Sequence, residues 1–206
     1  MMPLRHQYSQ PLCTQSIHES KSGLLVHTYY ILALAIICTV EMMYRHPLYD
    51  YSVVFIRDVI QPFRSEGFTL IMETLSFFGE GTIYFVGFLL VLNWYSRGRA
   101  FYYLMFLSTL LTLQNAMKIG YHEPRPYMSD DQIIVIGCSH EYGNPSGHSL
   151  FSAGFSLLSF MDFMGKAPKT RGFFFALGGP IAFFLLMGFA RVYQGVHTID
   201  QVIYGW

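Results

Sequence analysis

Residues 172–190 form a run of nineteen without a single charged side chain. Crossing ~30 Å of hydrocarbon takes about 20 helical residues, so this run has the length of one membrane crossing. Four other segments have a similar character. Residues 24–43 are apolar apart from His27 and Glu41. Residues 81–96 carry no charge and lie between Glu80 and Arg97; residues 100–117 follow an Arg97-Gly98-Arg99 turn and stop at Lys118. Residues 149–161 are shorter and draw their first turn from 145–148. A sixth segment begins near His197, and the chain ends at Trp206 before it crosses. The expected fold class is therefore all-α, a polytopic transmembrane helical bundle with five complete spans plus a truncated sixth. Residues 1–22 are expected to form an exposed N-terminal tail and 23–206 the membrane domain. The tail lacks the apolar core of a cleaved signal peptide.

Composition supports the membrane reading. Charged residues make up 13% of the chain against 52% apolar, about half the charged share of a soluble domain. Lysine plus arginine balance aspartate plus glutamate at 13 each, which excludes nucleic acid as a main partner because binding it needs a basic excess. Cys13, Cys38 and Cys138 are far apart, so neither a zinc site nor a disulfide framework is expected. Residues 51–78 mix apolar and charged side chains around Pro62. They read either as amphipathic helices at the interface or as packed loop helices.

Alternating the five spans puts the N-terminus, the 96–99 turn and the 162–171 loop on one side. That side carries Arg5, Lys21, Arg97, Arg99, Lys166, Lys169 and Arg171 against Glu19 and Asp162. The opposite side holds six basic and eleven acidic residues. Basic residues near span ends favour the cytosolic side, so the N-terminus is expected in the cytosol and the acidic face in the lumen or outside the cell.

The chemistry-bearing residues all fall at span ends on that acidic face. Lys118 closes the third span and Arg125-Pro126 follows; Pro145-Ser146-Gly147-His148 opens the fourth; Arg191 closes the fifth, with His197 and Asp200 beyond it. Taken singly, each has an ordinary explanation, since span-end cations snorkel to headgroups. Together they suit phosphoryl transfer, whose transition state spreads negative charge over three oxygens and is stabilised by placed cations and donors. Lys118 supplies a point charge, and Arg125 and Arg191 supply planar forks. Ser146 and Gly147 suit a helix start that receives an anion. His197 is the candidate nucleophile, with Asp200 three residues on to orient it. His148 is the candidate general acid. No carboxylate cluster suggests a divalent metal, so metal-independent chemistry without a cofactor is expected.

Lys118-x6-Arg125-Pro126, Pro145-Ser146-Gly147-His148 and Arg191-x5-His197 together resemble the three-part signature of the type 2 phosphatidic acid phosphatase and vanadium haloperoxidase superfamily. The resemblance covers roughly residues 20–206. It implies phosphate binding by Lys118, Arg125, Ser146, Gly147 and Arg191. It also implies a phosphohistidine at His197, a general acid at His148 and an orienting carboxylate near Asp200. The sequence departs from that pattern in three places. Ala190 stands where the family usually has Ser, Gln201 stands where it usually has Asp, and the final helix is incomplete.

The function expected on this basis is hydrolysis of a lipid phosphate monoester or pyrophosphate on the lumenal or extracytoplasmic face, with membrane lipids as surroundings. The class suggests the endoplasmic reticulum or a related endomembrane. Two alternatives remain open from sequence: a glucose-6-phosphatase-like enzyme of soluble sugar phosphates, and a catalytically inactive lipid-binding or structural membrane subunit.

Overall fold

The computed structural model describes residues 12–94, 96–164 and 170–206. Arg5, Lys166 and Lys169 of the expected basic face lie outside the described residues, as do residues 1–11 of the expected tail. All secondary structure among the described residues is helical. Two units are distinguished, Met1–Met43 and Tyr44–Trp206.

The first unit contains most of α1 (Leu12–Phe55), whose start falls inside the expected tail. From Leu25 onward it exposes Leu25, Tyr29, Ile31, Leu34, Ile36 and Ile37. An apolar helix surface of this kind is suited to lipid rather than to water.

The second unit opens with the end of α1. A single π turn (Ile56–Ile60) and a 3₁₀ turn (Gln61–Phe63) follow. Pro62 lacks an N–H and cannot continue a helical ladder, and Arg64 is already extended, so the chain turns there. Then come α2 (Glu66–Phe77), α3 (Gly81–Trp94), α4 (Arg97–Tyr121), the short α5 (Pro126–Ser129), α6 (Gly147–Met164), α7 (Arg171–Tyr193) and α8 (Ile199–Gly205). Helix α6 is the hub, with α3, α4, α7 and α8 packed against it. Helix α2 packs on α7, burying Met72 against Ala190 and Tyr193. On its other side α2 exposes Leu70, Ile71 and Phe77.

Among the described residues, two helical segments are long and apolar enough to cross a membrane, Leu25–Phe63 and Arg171–Tyr193. Helices α2 and α3 form a third candidate, bent by 48° at the break between them. The five-span expectation thus exceeds what length and apolarity establish.

Three local features shape the end of the bundle that carries the motifs. His122 takes the left-handed conformation (φ 50°) and its N–H caps the Lys118 carbonyl at 3.1 Å, ending α4 just past Lys118. Gly195 (φ 72°) turns the chain from α7 toward His197 in a conformation that L side chains rarely adopt. Arg64 then ties this turn down: its Nε and Nη2 donate to the Tyr193 carbonyl at 3.1 and 2.7 Å, and its Nη1 donates to the Ile134 carbonyl.

Candidate active site

The motif residues converge on one cavity of about 680 Å³. Lys118, Arg125, Gly147, His148, Arg191 and His197 all line it. The end of α4 delivers Lys118, the loop before α5 delivers Arg125, the start of α6 delivers His148, and α7 with the turn after it delivers Arg191 and His197.

His197 is 2% exposed, and both its ring nitrogens are engaged. Nε2 lies 3.2 Å from Arg125 Nη1, and Nδ1 lies 3.1 Å from Gln201 Oε1. The amide orientation of Gln201 follows from its other contacts. Its Nε2 is 2.8 Å from the Pro124 carbonyl, which can only accept, so the amine must face that way and Oε1 must face the ring. Oε1 also accepts from the Thr198 N–H at 3.4 Å. Nδ1 is consequently the protonated nitrogen, and Nε2 presents its lone pair beside a guanidinium. Burial first, then the charges of Arg125 and Arg191, hold the His197 pKa well below the ordinary imidazole value. The ring is neutral at pH 7, the state required of a nucleophile.

The cations are held by neutral and anionic partners. Arg125 Nε donates to the Glu141 carbonyl at 2.8 Å, Nη2 to Ser139 Oγ at 3.1 Å and Nη1 to the Val196 carbonyl at 3.2 Å. Burial lowers its pKa from a value so high that it stays charged. Lys118 Nζ is paired with the Glu141 carboxylate. That hydrogen bond with Lys118 keeps the Glu141 carboxyl below its usual range. Arg191 Nη1 donates to Gln194 Oε1 at 2.8 Å and to Ser76 Oγ at 3.2 Å, while its buried Nε has no hydrogen-bond partner among the described residues. Ala190 offers no hydroxyl; the one that reaches the Arg191 guanidinium belongs to Ser76.

Two expected residues are placed differently. Ser146 is fully buried, with its N–H on the Gln201 carbonyl at 2.9 Å and its hydroxyl accepting from Ser149 at 3.0 Å, so it does not line the cavity. Gly147 does line it, with Gln114 packed where a Cβ would stand. The hydrogen bond expected from Asp200 to His197 is not made. Thr198 caps α8 in a capping box with Gln201, which turns residue 201 toward the ring and leaves the Asp200 carboxylate buried without a hydrogen bond to it.

Sequence reasoning missed Ser76, Gln194, Glu123 and Glu141. Ser76 lies 115 residues from Arg191 in the chain, and no local pattern signals that contact. Glu123 and Glu141 flank motif positions, and their acidic charge beside Lys118, Arg125 and the 145–148 segment was the available signal. Among the described residues no group of His, Cys, Asp and Glu is arranged to hold a metal ion.

The sequence profile of the PAP2 superfamily matches residues 82–206, more than half of the chain and all three motifs. The chain belongs to the PAP2 superfamily. Its fold is similar to that of a transmembrane PAP2-type phosphatidylglycerolphosphate phosphatase from Bacillus subtilis, with a TM-score of 0.68. The two share 15% identity, and the match covers 86% of this chain and 87% of the other. No curated protein sequence matches this one. The fold is that of a PAP2 membrane phosphatase.

Proposed function

We propose that this PAP2 protein hydrolyses a lipid phosphate monoester or pyrophosphate through a phosphohistidine at His197, on the extracytoplasmic or lumenal face. The observation that carries the reading is the Nε2 lone pair of a neutral, fixed His197 set beside Arg125 in a cavity that also holds Lys118, Arg191 and His148. Phe77, Leu111 and Phe151 line the same cavity, an apolar wall that suits an acyl chain better than a sugar.

The steps follow from this geometry. The substrate phosphate displaces the Glu141 carboxylate from Lys118 and takes up the free Nε of Arg191. Both are charge-assisted contacts to a doubly charged group. His197 Nε2 bonds to phosphorus as the bond to the leaving oxygen breaks. As the dianion binds, its charge raises the proton affinity of His148, which takes up a proton from solvent and passes it to the departing alcohol. The same His148 then takes a proton from water, which attacks phosphorus, breaks the N–P bond and frees His197 and inorganic phosphate. Gln201 orients the ring throughout. Gly147 lets the chain pass close to the site, and Ser146 anchors the start of α6 to α8. The five-span arrangement with a cytosolic N-terminus belongs to this reading, as does independence from metal ions.

Phosphate release from phosphatidate in detergent micelles tests the reading. Wild type is expected to turn over in the presence of chelator, and His197→Ala is expected to show none. Equal activity in His197→Ala contradicts the mechanism, and a strict magnesium requirement contradicts its metal independence.

A further inference from the structure

The position that usually carries the orienting carboxylate holds Gln201, and an amide brings no charge to a ring that becomes cationic once Nε2 bonds to phosphorus. The structure does supply a carboxylate one side chain further back. Gln201 Nε2 reaches Glu123 Oε2 at 3.3 Å as well as the Pro124 carbonyl at 2.8 Å. His197, Gln201 and Glu123 thus form a buried line, 2%, 0% and 8% exposed.

We propose that Glu123 is the charge-bearing positioning residue of His197, acting through the Gln201 amide. The inference rests on the reading of His197 as nucleophile. A carboxylate accepting from one end of an amide pushes electron density toward its carbonyl, which strengthens the hydrogen bond made at the other end. The positive charge that develops on the ring then faces a polarised Oε1 backed by an anion. The fold holds Glu123 for this task. The left-handed His122 cap ends α4 immediately before it, and the Gly143 N–H fixes its carbonyl at 2.8 Å. A buried carboxylate is costly unless it is paired. Asn144 hydrogen-bonds the Glu123 carboxylate and Arg45 Nε stands 3.8 Å from its Oε1; among these partners Gln201 is the one that also reaches the His197 ring. The second buried carboxylate nearby, Asp200, makes no hydrogen bond to the ring.

The test is a double-mutant cycle on the full chain in detergent with a short-chain phosphatidate, comparing Glu123→Gln in the wild-type and Gln201→Asp backgrounds. In the wild type, Glu123→Gln is expected to lower kcat by roughly ten- to a hundredfold, the usual cost of losing an outer partner of a working imidazole. KM should stay within about a factor of two. With Gln201→Asp a carboxylate meets Nδ1 directly, and adding Glu123→Gln should then cost less than about threefold. An equal loss in both backgrounds would assign Glu123 a structural role only and overturn the proposal, as would an undiminished kcat in Glu123→Gln. Should Gln201→Asp fail to fold, Arg45→Gln decides. A kcat loss equal to that of Glu123→Gln means that the ion pair alone matters and overturns the proposal, whereas a clearly smaller loss supports it. His197→Ala in the same assay keeps the two readings apart: activity at wild-type level there defeats the nucleophile assignment itself, whereas an inactive His197→Ala beside a harmless Glu123→Gln defeats only the role of Glu123.

Discussion

At Arg191 the guanidinium divides its work. Nη1 is held by Gln194 and Ser76, and the buried Nε is unpaired and belongs to a residue lining the cavity. A lysine at this position keeps the charge but cannot bond both sets of partners. Arg191→Lys is therefore expected to lower kcat/KM by roughly ten- to a hundredfold, the loss of one charge-assisted hydrogen bond at ~1.5–3 kcal/mol; near-wild-type kinetics would show that the residue only supports the helix end. A pH profile addresses Glu123. Its pKa is raised to about 7, by burial first and then by the charge of Asp200. The groups that face it are Asp200, Arg45, Gln201 and Asn144. Because His197 is held neutral well below its ordinary value, the nucleophile itself does not titrate near neutrality. The ionised form of Glu123 is the working one, so kcat falls as pH drops through about 7, while the proton that His148 must carry sets the alkaline limb. Glu123→Gln should lose the acidic limb. An acidic limb at the same pH in the mutant contradicts the assignment. Lys118, Arg125, His148, Arg191 and His197 were legible in the sequence because their spacing around span ends is a local property. Ser76, Glu123 and Gln194 were not, because their roles arise only when α2, the α4–α5 connection and α7 meet in three dimensions.

Among the elements, the α7–α8 turn depends most on a partner from elsewhere. Arg64 gives the carbonyls of Tyr193 and Ile134 their donors, and Ile136 N–H bonds the Gln194 carbonyl at 2.9 Å. Removing the guanidinium leaves the part-buried Tyr193 carbonyl without its side-chain donors, at ~1–3 kcal/mol. Arg64→Ala is expected to lower the melting temperature in detergent and to reduce kcat, since the same turn carries His197. A variant that melts and turns over like wild type would show that the turn is held without it. The helical nature of the chain was legible because uncharged runs of span length have few other solutions. The bend of 48° between α2 and α3 was not. Residues 51–78 have neither a clean apolar run nor a strict amphipathic period, and it is the burial of Met72 against Tyr193 that sets α2 in place.

At the scale of the whole molecule, the proposed orientation in the bilayer rests on charge asymmetry and is open to direct measurement. Cys138 is exposed on the loop that lines the cavity. In sealed vesicles of known orientation, with Cys13 and Cys38 replaced by serine, an impermeant maleimide added to the extracytoplasmic side should label it. Labelling only from the cytosolic side would invert the topology. The central claim is that a phosphoryl group passes through one imidazole, and trapping tests this most directly. A brief pulse of phosphate-labelled phosphatidate, quenched under alkaline conditions that preserve phosphohistidine, should leave acid-labile label on the intact protein at His197 and none on His197→Ala. Label retained in His197→Ala, or turnover without any protein-bound phosphate in the wild type under the same quench, would contradict the account.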